Sequence, residues 1–197
     1  MKKKKRRILL LGLLLSLAIF IVGCGENQSA NETKTTNDVQ SQEEDYGELK
    51  SFETKTLTGE TFTEKDFAKK DVTAINCWSV SCGPCVEEMP ELAKFSEKLP
   101  ENIRLITLCL DSEEEIPEAK SILKEAGFTG TTILMGNGDM EKLNSHILYT
   151  PTTIFVDGEG NIIGNAVIGG QENLADTMTA AINSALKAIG KDEITVK

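Results

Sequence analysis

Cys82-Gly83-Pro84-Cys85 stands at a junction between two periodicities, and that junction limits the folds open to this chain. Before it, Val72 to Trp78 is an apolar run entered through the turn-like Lys69-Lys70-Asp71, as expected of a buried strand. After it, Val86, Met89, Leu92 and Ala93 recur at helical spacing toward Lys98, with Pro90 predicted to kink that helix. The pair therefore sits where a strand hands over to a helix. A thiolate there is stabilised by the unpaired N–H groups and the positive end of the helix dipole, which lowers its pKa. Two cysteines three apart on one turn can close an internal disulfide, so the second resolves a mixed disulfide formed by the first. Pro84 lacks an N–H and has φ fixed near the helical value, which suits a first turn. Half of a zinc site and a pair of inert thiols are the alternatives. Zinc needs two further ligands, and Cys77, Cys109 and His146 lack the usual paired spacing, so no metal site is expected.

Around this junction the chain alternates. Phe52 to Phe62 turns about Thr58-Gly59-Glu60 as a hairpin. Ile103 to Leu110 is a run rich in Ile and Leu, as for a strand buried on both faces. Ile116, Ala119, Ile122, Leu123 and Ala126 mark a helix opened near Pro117 and closed by Gly127. Thr131 to Met135 predicts a short strand and Asp139 to Ile147 a short helix. Thr152 to Asp157 and Ile162 to Ile168 read as a second hairpin about Gly158 to Asn161. Leu174, Met178, Ile182 and Leu186 place a last helix before Gly190. The class is α/β, with a central mixed sheet flanked by helices.

The first residues differ in character from this alternating part. Lys2 to Arg7 are all basic, Ile8 to Val22 is nearly all apolar, and polar sequence starts at Gly25. Fifteen apolar residues span about 22 Å as a helix, short of the roughly 30 Å hydrocarbon core, so 1–23 reads as a secretory signal rather than an anchor. An uncleaved signal anchor is the alternative. Ile21-Val22-Gly23-Cys24 resembles the lipobox of bacterial lipoproteins, which implies lipidation of Cys24 and attachment to the membrane. Residues 24–45 are rich in Asn, Gln, Ser, Thr and Glu and are expected to form a flexible tether. The domain is expected over 46–197. Without residues 1–23 the chain carries 15 basic against 31 acidic residues, which leaves no electrostatic footprint for nucleic acid.

The segment from Val72 to Leu92, VTAINCWSVSCGPCVEEMPEL, resembles the active-site segment of membrane-anchored, extracytoplasmic thioredoxin-like proteins of the TlpA type, to which ResA-like proteins belong. Thr150-Pro151-Thr152-Thr153-Ile154-Phe155-Val156-Asp157 resembles that family's second hallmark, a cis-proline opening a strand after an inserted β-α unit. The resemblance implies a thioredoxin-like fold with an N-terminal hairpin and that inserted unit. It also implies an extracytoplasmic thiol-disulfide oxidoreductase, lipid-anchored and facing outside the cytoplasm, with no cofactor beyond the Cys82–Cys85 disulfide. By the same resemblance Cys82 attacks, Cys85 resolves, and Thr150 and Pro151 dock the substrate. Gly83-Pro84 is the dipeptide of thioredoxin itself, and the family is mostly made of reductases. The implied partners are disulfide-bonded proteins and a membrane electron donor of the CcdA/DsbD kind.

The chain departs from the family pattern in two places. Ser81 stands where thioredoxin-like sites often carry Trp, and Trp78 matches a second tryptophan expected to pack beneath the site. Asn76 stands where cytosolic thioredoxins keep a buried acid, and an amide cannot take the proton that Cys85 must release. In the TlpA-type family a Glu matching Glu88 is proposed for that role. Glu88 is three residues from Cys85 and shares its face, although a solvated helix carboxylate is the simpler alternative. Cys77 and Cys109 are expected as buried structural thiols, with a disulfide between them as the other possibility. His146 is expected as a helix-end histidine without a role. A peroxiredoxin-like peroxidase matches Ser79-Val80-Ser81-Cys82 superficially but wants an Arg at the site, and only Arg104 follows the leader. A Sco-like copper chaperone would need Cys-x-x-x-Cys.

Overall fold

The computed structural model describes residues 46–196. The readings of a leader over 1–23, lipidation at Cys24 and a tether over 24–45 lie outside those residues. The sheet's strands are β3 (Val72–Trp78), β4 (Ile103–Cys109), β5 (Thr132–Leu134), β6 (Thr152–Asp157) and β7 (Val167–Ile168), in the order β5-β4-β3-β6-β7. The apolar run before the cysteine pair becomes the central strand: β3 runs parallel to β4, antiparallel to β6, and every one of its residues is buried. The fold is thioredoxin-like, with a mixed sheet and helices on both faces.

Alternation along β3 divides the interior in two. Val72, Ala74 and Trp78 face a core shared with α1 (Gly83–Ser96), α2 (Ile116–Ala126) and α4 (Leu174–Ala188), where Met89, Leu92, Leu123, Phe155 and Ile182 are buried. Ile75 and Cys77 face the other core, built with Phe52, Phe62, Phe67, Met140 and Leu143. That second core is capped by the hairpin β1 (Glu53–Lys55) and β2 (Thr61–Thr63) and by α3 (Asp139–His146). Each large side chain removed from water in these cores contributes about 1.5–3 kcal/mol.

The inserted unit, β5 with α3, is tied down by a residue that the sequence pattern did not mark. Asp139 Oδ2 accepts from the backbone N–H groups of Lys50 (3.0 Å) and Ser51 (2.8 Å), while Oδ1 pairs with Lys142 Nζ at 2.9 Å. The Lys142 ammonium and these two amides hold the Asp139 carboxyl below its usual range.

One local reading needs correction. The second hairpin is not continuous, since Ile162 makes only an isolated bridge to Val156 and pairing resumes at Val167. Between them Gly164 adopts φ +68°, and a Cβ there would lie 3.3 Å from the Ala185 backbone on α4. The strand breaks where the chain crosses close over that helix. Helix α1 runs from Gly83 to Ser96 with Pro90, exposed, inside it.

Candidate active site

The end of β3 delivers the cysteine pair. After Trp78 the chain turns, with Cys82 N–H donating to Ser79 O at 3.1 Å, and Cys82 becomes the N-cap of α1. The Cys85 N–H donates to Cys82 Sγ at 3.3 Å, so the outer sulfur already accepts one of the helix's unpaired donors. Cys82 and Cys85 form a disulfide, with Cα atoms 5.3 Å apart. The two sulfurs are not equivalent: Cys82 is half-buried and Cys85 is fully buried. Asp111 Oδ2, beyond the end of β4, accepts from Val80 N–H at 2.9 Å and fixes the loop that carries them.

The Thr150–Pro151 bond is cis, and Pro151 opens β6 one residue before Thr152, which pairs with Cys77. Pro151 O accepts from Gly169 N–H at 2.8 Å. A Cβ on the next residue, Gly170, would meet Pro84 Cβ at 3.5 Å and Glu88 Oε2 at 4.0 Å. The Gly169-Gly170 backbone thus joins the cis-proline to the cysteine loop, at one end of the sheet. Nothing in the residue pattern had pointed to these glycines. Their role shows only when β7 is seen to lie beside β6.

Glu88 is not a solvated carboxylate. Its Oε1 accepts from Asn76 Nδ2 at 3.3 Å, the backbone of Gln171 also bonds to it, and Oε2 is buried without a partner. Burial pushes the Glu88 carboxyl up to about 7, with the charge of Glu91 acting in the same direction and the two hydrogen bonds opposing. Asn76, only 1% exposed, also donates to Thr153 Oγ1 at 3.1 Å, so one amide links β3, β6 and α1 beneath the disulfide. The amide at position 76 thus holds the Glu88 carboxyl in place.

This arrangement makes a linkage prediction. The folded carboxyl titrates near 7 and the unfolded one near its ordinary 4.5, so the folded state holds a proton that the unfolded state has lost between those values. The contribution of Glu88 is fully present below about pH 4.5, declines as pH rises, and is gone above about pH 7. Glu88→Gln keeps an acceptor for Asn76 and removes the charge. It should flatten the pH dependence of stability in that window and leave the variant more stable than the parent at about pH 8. Urea midpoints at about pH 5 and about pH 8 check this; parallel shifts of parent and variant would contradict it.

Trp78 lies fully buried in the core that also holds Cys85 and Met89, beneath the site rather than on its lip. Ser81 is exposed, its hydroxyl 3.2 Å from that of Ser79, so this rim is polar. Cys77 and Cys109 are free and belong to different cores on opposite faces of the sheet, which precludes a bond between them. Burial pushes both thiols up to about 12, and Cys109 Sγ donates to Asp111 Oδ2 at 3.2 Å. Such thiols are unreactive. His146 is exposed at the end of α3.

Arg104 stands elsewhere. It pairs in register with Thr73, near the start of β3, roughly 16 Å of strand from Trp78. Its guanidinium donates to Thr73 Oγ1 and Asp66 O and lies 5.3 Å from the centre of the Phe62 ring. It is spent on packing and does not face Cys82, so this arginine does not complete a peroxidase site.

A half-buried cysteine capping a helix, a buried partner one turn on, and a cis-proline on the adjoining strand define a thioredoxin-like redox-disulfide site. The redoxin family model matches residues 42–181, and the chain belongs to that family. Among solved structures it is similar to StoA from Bacillus subtilis, at 24% identity over 67% of this chain and 99% of that one, with a TM-score of 0.53. It is similar to a secreted Mycobacterium tuberculosis disulfide oxidoreductase homologous to E. coli DsbE, at 16% identity over 67% and 96% and a TM-score of 0.54. The exposed lipoprotein thioredoxin of Streptococcus pneumoniae matches at 18% identity over 65% and 96%, with a TM-score of 0.51. At these identities the likeness is one of fold. No curated protein matches the sequence.

Proposed function

We propose that this redoxin is a thiol-disulfide oxidoreductase that reduces protein disulfides outside the cytoplasm, held at the membrane by lipid on Cys24. The observation that carries the reading is the asymmetry of the pair: Cys82 reaches solvent at the N-terminus of α1, while Cys85 is buried three residues from the Glu88 carboxyl.

In the reduced protein the Cys82 thiolate attacks one sulfur of a substrate cystine. A Cys82–substrate disulfide forms, the substrate S–S bond breaks, and its other sulfur leaves as a thiolate. Cys85, its proton taken by the Glu88 carboxylate, attacks Cys82 Sγ. The internal disulfide re-forms and the second substrate sulfur leaves as a thiolate. Two electrons have passed from the pair to the substrate, and the departing thiolates take up protons from Glu88 and solvent. Thr150 and Pro151 hold the substrate against the Gly169-Gly170 side of the site. A membrane thiol-transfer protein of the CcdA/DsbD kind returns two electrons to the pair. Near neutrality a carboxyl with a pKa of about 7 can both take and return a proton, which suits Glu88 to this role.

The Gly83-Pro84 dipeptide of thioredoxin supports the reducing direction, and the reduction potential tests it. Titration of the full-length protein in dithiothreitol and glutathione buffers should give a potential of about −270 mV or lower. A potential near about −120 mV would make the protein a disulfide-forming oxidant and overturn the reading.

A further inference from the structure

Among the described residues the exposed large apolar side chains are Leu148 and Tyr149, at 66% and 65%. They directly precede Thr150 and the cis-Pro151, so they border the site, whose rim at Ser79 and Ser81 is polar. No core claims them, and water is a poor environment for two adjacent side chains of this size.

The charge around them is one-sided. Segments 79–93, 110–119 and 143–186, which include the loops at this end of the sheet, contain no Lys and no Arg. Along them Glu87, Glu91, Glu113, Glu114 and Glu172 are exposed, and Asp111 is bonded to the cysteine loop through Val80. The basic residue nearest in sequence to the apolar pair, apart from His146, is Lys142, which is paired with Asp139. Helix dipoles favour acids at the starts of α2 and α4. They do not account for the absence of Lys and Arg from 143 to 173.

Resting on the exchange reaction above, we propose that Leu148 and Tyr149 form an apolar docking lip and that the acidic rim selects its occupant. The occupant is an extended polypeptide segment whose cystine has an apolar residue beside it and Lys or Arg flanking. The apolar residue covers the lip while the cations face the acidic rim. Charge complementarity of this kind acts chiefly on the rate of encounter and is screened by salt.

The test compares two cystine peptides that share their apolar residues and differ only in Lys or Glu flanks. A neutral disulfide, bis(2-hydroxyethyl) disulfide, serves as the third substrate. Oxidation of the reduced full-length protein is timed with each at about 0.01 M and about 1 M ionic strength. Each peptide rate is divided by its rate with mercaptoethanol, which removes the peptide's intrinsic reactivity. The Lys peptide should react about tenfold faster or more than the Glu peptide at low salt, and the gap should close at high salt. Leu148→Ser with Tyr149→Ser should slow the Lys peptide several-fold, and Glu113→Gln with Glu114→Gln should narrow the gap. Equal rates for the two peptides at low salt, with the neutral disulfide reacting, would overturn the docking proposal alone. Failure to react even with the neutral disulfide would overturn the exchange reading beneath it.

Discussion

Replacing Cys85 by Ala should leave the protein covalently attached to its substrate, because the sulfur that releases the mixed disulfide is gone. Cys82 remains half-exposed at the N-terminus of α1 and still attacks. Non-reducing electrophoresis should show a new adduct that dithiothreitol dissolves, and multiple turnover should be lost, because each molecule stops at the mixed disulfide. Cys82→Ser should lose turnover equally and form no adduct. Both variants should fold. Serine is a good N-cap in place of Cys82, and losing so short a disulfide loop costs only about 2 kcal/mol in the chain-entropy model. An adduct that forms through Cys85 in the Cys82→Ser variant would reverse the assigned order of attack.

The largest expected loss of stability lies beneath the same site. Trp78 is fully buried at the end of β3, in the core with Cys85, Met89 and Leu92. Trp78→Ala should cost about 3–5 kcal/mol, from lost transfer energy and the cavity left behind. That is a large part of the roughly 5–15 kcal/mol that holds a typical domain. Trp78→Phe should cost far less. It keeps much of the apolar volume, and it removes an indole N–H that is buried without a hydrogen-bond partner. Far-UV circular dichroism in urea checks both, since the Ala variant has no tryptophan to follow. A midpoint for Trp78→Ala within about 1 kcal/mol of the parent would mean that the core closes over the gap.

Much of this was legible in the residues because the local signals agree. The apolar run from Val72 to Trp78 became the central strand, and the spacing of Met89 and Leu92 became the buried face of α1. Gly127 and Pro117 bracket α2 as their chemistry suggests. What was not legible depended on which elements become neighbours. The bonds from Asp139 to the backbone of Lys50 and Ser51 join positions far apart in the chain, and no periodicity carries them. Gly164 breaks a hairpin only because α4 passes beneath it. Gly170 belongs to the site only because β7 lies beside the cis-proline. Asn76 and Glu88 were each noticed as departures or candidates. That they bond to one another needed the register of β3 against α1.

The central claim is that Cys82 and Cys85 cycle as a pair while the other described thiols stay silent. The direct measurement equilibrates the full-length native protein in graded dithiothreitol buffers, quenches with an alkylating agent and maps the label by mass. Cys82 and Cys85 should acquire label together in a single two-electron transition, with Cys77 and Cys109 unlabelled until the protein is denatured. A pair that stays unlabelled in fully reducing buffer, or a native transition that includes Cys77 or Cys109, would contradict the account.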